Sequence, residues 1–371
     1  MPHASAIVVG AGMVGLALAR ALALRGRRVV VFERHERAVG ASLRNTGAVT
    51  PLAVGDPDEL DRARRSRAVW REFCEAADVW HDPCGCLVPA TDTGEWALLQ
   101  EYAAAGRGLR ELELLDPAAA RKRSPWLAAR QLRGALFSAE DLLVDPRVAL
   151  RQLPLWLAAR HEIEFRWKHA VTRISYPYVW SGGRRHAADV IYVAGGIDTT
   201  QLLPDVAAAP EARRHLLVRL AAQPEGFRLG AIVANAAALA LGAGRDAAAA
   251  KHLPAATPAL RLVQSGSGEL LLDAGHADAD LDTATGARPA LDALKRMAEL
   301  PDGHAAQLWT LPQLAASGAA SAVEALPGVI AVAAPGPDGF GMTTAFGFAE
   351  DLIAGNLRAD GGDAALSARR A

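Results

Sequence analysis

Six residues, Gly10-Ala11-Gly12-Met13-Val14-Gly15, follow the β-branched run Ile7-Val8-Val9 and fit the spacing G-x-G-x-x-G. The chemistry open to such a turn is to hold a pyrophosphate. Gly10 permits a sharp turn, Gly12 lets the anion approach the backbone, and Gly15 lets helix and strand pack closely. A helix opening at Met13 then aims its positive end at that anion. Glu33 closes a second strand, Val29-Val30-Val31-Phe32, with Arg34 after it. It lies roughly twenty residues past the last glycine, where an acid binds the ribose of a dinucleotide. Strand, turn, helix, strand and acid agree, so this stretch reads as a dinucleotide site.

Three further stretches have residue types suited to contacting the same ligand. Gly40-Ala41-Ser42-Leu43-Arg44-Asn45-Thr46-Gly47 is small, polar and glycine-flanked. A loop of that kind can lie along a cofactor and offer donors from Ser42, Arg44, Asn45, Thr46 and Gly47. The apolar run Val190-Ile191-Tyr192-Val193 leads into Ala194-Gly195-Gly196. That is the pattern of a buried parallel strand whose end meets a ligand. Near the other end of the chain, an apolar strand from Val329 leads into a loop with Gly336, Gly339, Phe340, Gly341 and Met342, and Thr343 opens a helix. This is a second unit able to cradle an anion.

A metal is not expected. Cys84-Gly85-Cys86 is a C-x-C with His81 nearby, but no second ligand pair completes a zinc site. The three cysteines, with Cys74, read as buried thiols rather than a disulfide framework.

The elements that must carry these groups are legible in outline. Asp58 to Ala77 reads as a helix, and its Arg62, Arg64, Arg65 and Arg67 as a solvated face. Asp145-Pro146 caps a helix running to about His161. Leu260 to Val263 and Glu269 to Asp273, joined by Ser265-Gly266-Ser267-Gly268, read as a hairpin. A helix is expected over Ala290 to Glu299. The stretch from Ala231 to Ala250 is so rich in alanine that helix propensity is high while a packing stripe is poorly defined.

Composition narrows the class. The chain has 371 residues, 51% hydrophobic, enough for two intertwined domains. Its formal net charge of −1 carries no basic excess for nucleic acid. Glycines and Arg20 interrupt the apolar N-terminal stretch and no basic residues precede it, so it reads as a nucleotide-binding unit. No membrane association is expected, and the expected location is the cytoplasm.

Taken together, GAGMVG with Glu33, GASLRNTG, VIYVAGG and GPDGFGMTTAFG resemble the FAD-dependent D-amino acid oxidase, glycine oxidase and sarcosine oxidase superfamily. Ala170-Val171-Thr172-Arg173-Ile174 is similar to the strand whose backbone, at Val171, meets the adenine in that superfamily. A narrower likeness rests on ASLRNTG, RSRAVW, WHDPCGCL, VDPRVALRQLPLWLAARH and QPEGFRLG. These resemble a bacterial subgroup associated with aminophosphonate breakdown. The alanine-rich centre departs from that subgroup, whose substrate domain carries more aromatics.

The resemblance implies an α/β fold: an FAD-binding Rossmann-like domain of the glutathione-reductase type, interleaved with an α+β substrate domain built on an antiparallel sheet. The expected FAD-binding parts are 1–80, 140–212 and 326–371, the last ending in a frayed tail over 358–371. The expected substrate parts are 81–139 and 213–325. FAD is expected to be non-covalent, because no cysteine stands near the C-terminal glycine loop.

The implied reaction is oxidation of a small amine, an amino acid or aminophosphonate, by hydride transfer to flavin N5. The imine would be hydrolysed, and oxygen would reoxidise the flavin to give hydrogen peroxide. An anionic substrate end calls for arginine, whose planar guanidinium can bind two oxygens at once. Arg44 is the first candidate, with Arg219 and Arg228 flanking the QPEGFRLG segment. His276 is a candidate catalytic group. Two alternatives stay open: a dehydrogenase passing electrons to another acceptor, or a flavin-binding subunit whose substrate domain has decayed. The oligomeric state is not legible.

Overall fold

In the computed structural model, the described residues are 4–204, 211–242, 251–254, 257–277, 283–315, 322–332 and 340–356. They form two large sheets and two small ones. The first large sheet has six strands, in spatial order Ala322–Leu326, Val329–Val332, Ile191–Val193, Ala6–Val9, Val29–Glu33 and Glu164–Trp167. Five of these run parallel, and Ala322–Leu326 pairs antiparallel to its neighbour at the edge. Parallel strands must be covered on both faces. One face packs against the helices Met13–Leu24, Pro57–Ala76, Pro146–His161 and Phe340–Ala354, where Trp70, Phe73 and Phe346 are fully buried. The other lies under a three-stranded sheet through Val171 and Val179.

The second large sheet has eight strands and is antiparallel except for one pair, Ile232–Ala234 beside Cys86–Ala90. Its spatial order is Ala305–Ala315, Glu211–Leu220, Leu270–Ala277, Arg261–Gln264, Ile232–Ala234, Cys86–Ala90, Gly134–Ser138 and Leu112–Leu115. The helix Thr283–Met297 covers one face through Ala287, Ala290 and Leu294. The opposite face, through Leu271, Val263 and Trp309, packs against Ala48 and Leu52 from the chain just after the Gly40–Gly47 stretch. The two sheets therefore meet around that segment.

Three expectations change. The Gly40–Gly47 stretch is not wholly loop, because Ala41–Arg44 form one helical turn. The helix expected from Ala290 begins at Thr283 and carries Pro289 inside it. The arginines of the helix Pro57–Ala76 are not a solvated face. Arg62 pairs with Asp351 at 2.8 Å, and Arg65 reaches both Glu350 and Asp351 at 2.9 Å. Arg64 pairs with Glu140 at 2.6 Å. The partners on the C-terminal helix lie nearly three hundred residues away in sequence, so local periodicity could not reveal them. Within the alanine-rich stretch, Ile232–Ala234 is a strand and Ala236–Gly242 a helix.

Candidate cofactor and substrate site

The glycine turn after Ala6–Val9 has the shape its residues require. Gly10 adopts φ +104°, and a Cβ there would stand 2.5 Å from the Ala194 carbonyl oxygen. A Cβ on Gly15 would stand 1.9 Å from the Gly10 carbonyl oxygen. Both positions thus exclude a side chain, one through strand crossover and the other through helix packing. Gly12 is the N-cap of the helix Met13–Leu24 and supplies no side-chain cap. The Ser42 hydroxyl comes across instead and accepts from the Met13 amide at 3.0 Å. Glu33 accepts from the Ala11 amide at 2.9 Å, so the acid sits at the lip of the turn. Arg34 pairs with Asp198, just beyond Gly195 and Gly196, at 2.6 Å. The Ala194 amide donates to the Val9 carbonyl, bringing the end of that strand beside the turn.

The Gly40–Gly47 segment is folded by its own side chains. Asn45 donates to the Ser42 carbonyl at 2.7 Å and accepts from the Gly47 amide at 2.6 Å. Thr46 is buried, whereas Arg44 is exposed at the end of its helical turn. The Arg44 carbonyl accepts from the Trp309 indole at 3.3 Å, so this turn abuts the outermost strand of the eight-stranded sheet. The C-terminal helix reaches the same place. The Thr343 hydroxyl accepts from the Thr50 amide, and the Met342 carbonyl accepts from the Trp70 indole at 2.7 Å. An added Cβ at Gly341 would meet nothing within 4 Å. Gly336 and Gly339 lie outside the described residues. Val171 opens its strand and is buried beside Val30 and Phe32.

The substrate candidates are dispersed. Arg219 pairs with Glu269 at 2.9 Å. Arg228 is exposed, and its carbonyl accepts from Trp126, whose ring stacks on Phe227. Trp126 and Phe227 belong to the core on the far side of the sheet, away from Leu52 and Trp309. His276 is placed by its backbone alone, opposite His215.

The face turned toward Leu52 carries a charged group that sequence reasoning missed. Register sets Arg261 opposite Asp273 and Val263 opposite Leu271, so these four share one face. Asp273 accepts from His215 Nε2 at 2.5 Å and from the Gly275 amide at 3.2 Å. Its other oxygen is 3.5 Å from Arg261 Nη1. Burial alone would raise the Asp273 carboxyl, but His215, Arg261 and the Gly275 amide outweigh it and hold the carboxyl below its usual range. Asp141, fully buried, also senses Arg261. It accepts from the Ser138 hydroxyl at 2.6 Å and from the Leu52 amide at 3.3 Å. Burial pushes its carboxyl up to about 7 despite those donors. One signal was available: Asp273 interrupts the apolar run Leu270-Leu271-Leu272, and a charge inside a buried strand must find partners.

The family model for FAD dependent oxidoreductases (DAO) matches residues 5–354. The chain belongs to this family. Like its other members it is an FAD-dependent oxidoreductase. The residues fit the cofactor: a side-chain-free cradle at Gly10 and Gly15, a helix start without a cap of its own, and an acid at the lip. Among solved structures, glycine oxidase from Geobacillus kaustophilus aligns over 97% of this chain and 96% of its own, with TM-score 0.75 and 20% identity. L-proline dehydrogenase from P. horikoshii aligns over 96% and 95%, with TM-score 0.76 and 17% identity. These likenesses show the fold. In sequence, the tRNA 5-methylaminomethyl-2-thiouridine biosynthesis bifunctional protein MnmC of Ralstonia nicotianae is 29% identical over 56% of this chain and 33% of its own length. The mitochondrial L-2-hydroxyglutarate dehydrogenase of Arabidopsis thaliana is 34% identical over 29% of this chain and 24% of its own. The chain thus spans a third or less of these curated relatives.

Among the described residues, no group of three or more His, Cys, Asp or Glu side chains could hold a metal ion. No helix among them is long and apolar enough to cross a membrane.

Proposed function

We propose that the chain oxidises a small amine with an anionic end, an amino acid or an aminophosphonate, and returns electrons to oxygen. One observation carries this: a mostly buried guanidinium, Arg261, on the sheet face that packs against the segment after Ser42 and Arg44. When bound, FAD would supply the hydride acceptor for the carbon that bears the amine. The glycine turn, Ser42 and Glu33 hold the nucleotide half. Arg261 receives the carboxylate or phosphonate, with Arg44 at the rim. Cationic side chains around the pocket disfavour the ammonium form of the substrate, which must react as the free amine.

The buried Asp273–His215–Arg261 group also argues against a decayed substrate domain. Charges kept under a protein surface are costly unless something uses or balances them. The second reading is a dehydrogenase, because L-proline dehydrogenase from P. horikoshii shares this fold.

The test is anaerobic bleaching of the flavin band by a panel containing glycine, sarcosine, proline, iminodiacetate, 2-aminoethylphosphonate and its N-methyl form, followed by air. Bleaching with rapid recovery and peroxide supports an amine oxidase. Bleaching with slow recovery moves the assignment to a dehydrogenase. Failure of every amine overturns the proposal.

A further inference from the structure

We propose that His215 is a positioning residue for anion binding: by engaging Asp273 as an imidazolium, it keeps that carboxylate off Arg261 and leaves the guanidinium for the substrate's anionic end. This rests on the reading that Arg261 receives that end.

The distances carry the argument. Asp273 lies 2.5 Å from His215 Nε2, shorter than the ~2.7–2.9 Å of a charge-assisted N–H···O bond, but 3.5 Å from Arg261 Nη1, the outer limit of a hydrogen bond. The Gly275 amide adds a second donor to the oxygen facing His215. One carboxylate oxygen is therefore held by the histidine, while the other keeps only a long contact with Arg261. Two cations and one carboxylate leave one net positive charge in a buried place, and such a charge favours an incoming anion. With the imidazole neutral the three groups sum to zero, and the weaker bond from an uncharged N–H lets Asp273 shift toward Arg261.

Among the described residues, one other group near Arg261 titrates close to neutral pH: Asp141, whose carboxyl is pushed up to about 7. Burial keeps Cys86, which also senses Arg261, protonated throughout, whereas Asp141 is protonated below about 7 and adds a negative charge above it. The strand Glu211–Leu220 places Arg214 next to His215, with Leu311 opposite on one side and His276 on the other. Leu217, Leu271, Val263 and Trp309 supply the apolar neighbours, and the Arg219–Glu269 pair lies further along.

The experiment measures acetate affinity by perturbation of the flavin spectrum of the purified holoenzyme between about pH 5.5 and 9. It is paired with ¹⁵N NMR of the histidine side chains. Acetate affinity should fall about tenfold per pH unit above the imidazole midpoint. His215→Gln should bind acetate at least about tenfold more weakly at low pH, and its profile should be flat once Asp141→Asn removes the other group that titrates in this range. Asp273→Asn should stay tight at high pH. The NMR signal of His215 in the unaltered protein should be that of an imidazolium below the same midpoint. A flat profile in the unaltered protein, a wild-type profile in His215→Gln, or an imidazole neutral throughout would overturn the inference. If Arg261→Met leaves acetate affinity unchanged, the reading of Arg261 fails as well. If Arg261→Met abolishes binding while His215→Gln keeps the profile, only the role of His215 fails.

Discussion

The backbone amide of Thr50 donates to the Thr343 hydroxyl at 3.1 Å, joining positions 293 residues apart. Both residues are buried. The bond ties the segment after the Gly40–Gly47 stretch to the start of the C-terminal helix. Removing the hydroxyl leaves a buried amide without its acceptor. Thr343→Val should cost about 1–3 kcal/mol in urea denaturation, while Thr343→Ser should be close to neutral. Equal losses in the two variants would show that the methyl group, not the hydroxyl, matters.

Gly15, like Gly10, tolerates no side chain, because the clash would be with backbone. Gly15→Ala must push the helix Met13–Leu24 off its strand. The expected result is protein with little bound FAD, destabilised by about 1–3 kcal/mol. Flavin content per chain after gel filtration reads the first effect. A variant that retains full flavin would contradict the packing role.

Asp141 is raised from 3.8 to about 7 by burial. The folded chain therefore holds this proton more tightly than the unfolded chain. The associated stability is full below about pH 4 and is lost as pH rises toward 7. Asp141→Asn keeps an acceptor for the Leu52 amide and removes the titration. Its stability relative to the unaltered protein should improve across that window, by on the order of a few kcal/mol. Denaturation curves at a series of pH values that run parallel for the two proteins would refute this.

The thiols should be inert in the folded state. Burial, helped by nearby carboxylates, pushes Cys74 and Cys84 up to about 12 and Cys86 well above its usual value. The thiolate is the reactive form, so at pH 8 only about one thiol in ten thousand is available at Cys74 and Cys84. Iodoacetamide should label none of the three in minutes, and all three in guanidinium. Fast labelling of Cys84 alone would mark it as more open than its surroundings imply.

Local pattern carried the nucleotide half of this molecule. A short strand, three glycines at fixed offsets and an acid at the next strand's end are constraints of backbone sterics, and sterics act within a few residues. The same holds for Asp145-Pro146 as a helix cap and for the hairpin Arg261–Gln264 with Leu270–Ala277, each set by neighbouring residues. They mark a dinucleotide site; membership of the flavoprotein family is shown by the match of the family model over residues 5–354.

The tertiary structure decided what distant pairing decides. Arg62 and Arg65 look like surface residues until the C-terminal helix brings Glu350 and Asp351 beside them. Arg219 looks available until Glu269 is found 2.9 Å away. The group His215, Asp273 and Arg261 comes from three strands, and only sheet register sets them side by side. Hydrogen-bonded register and charge pairing across a core depend on how strands are ordered in space, and alternation along a single strand says nothing about which neighbour it will meet.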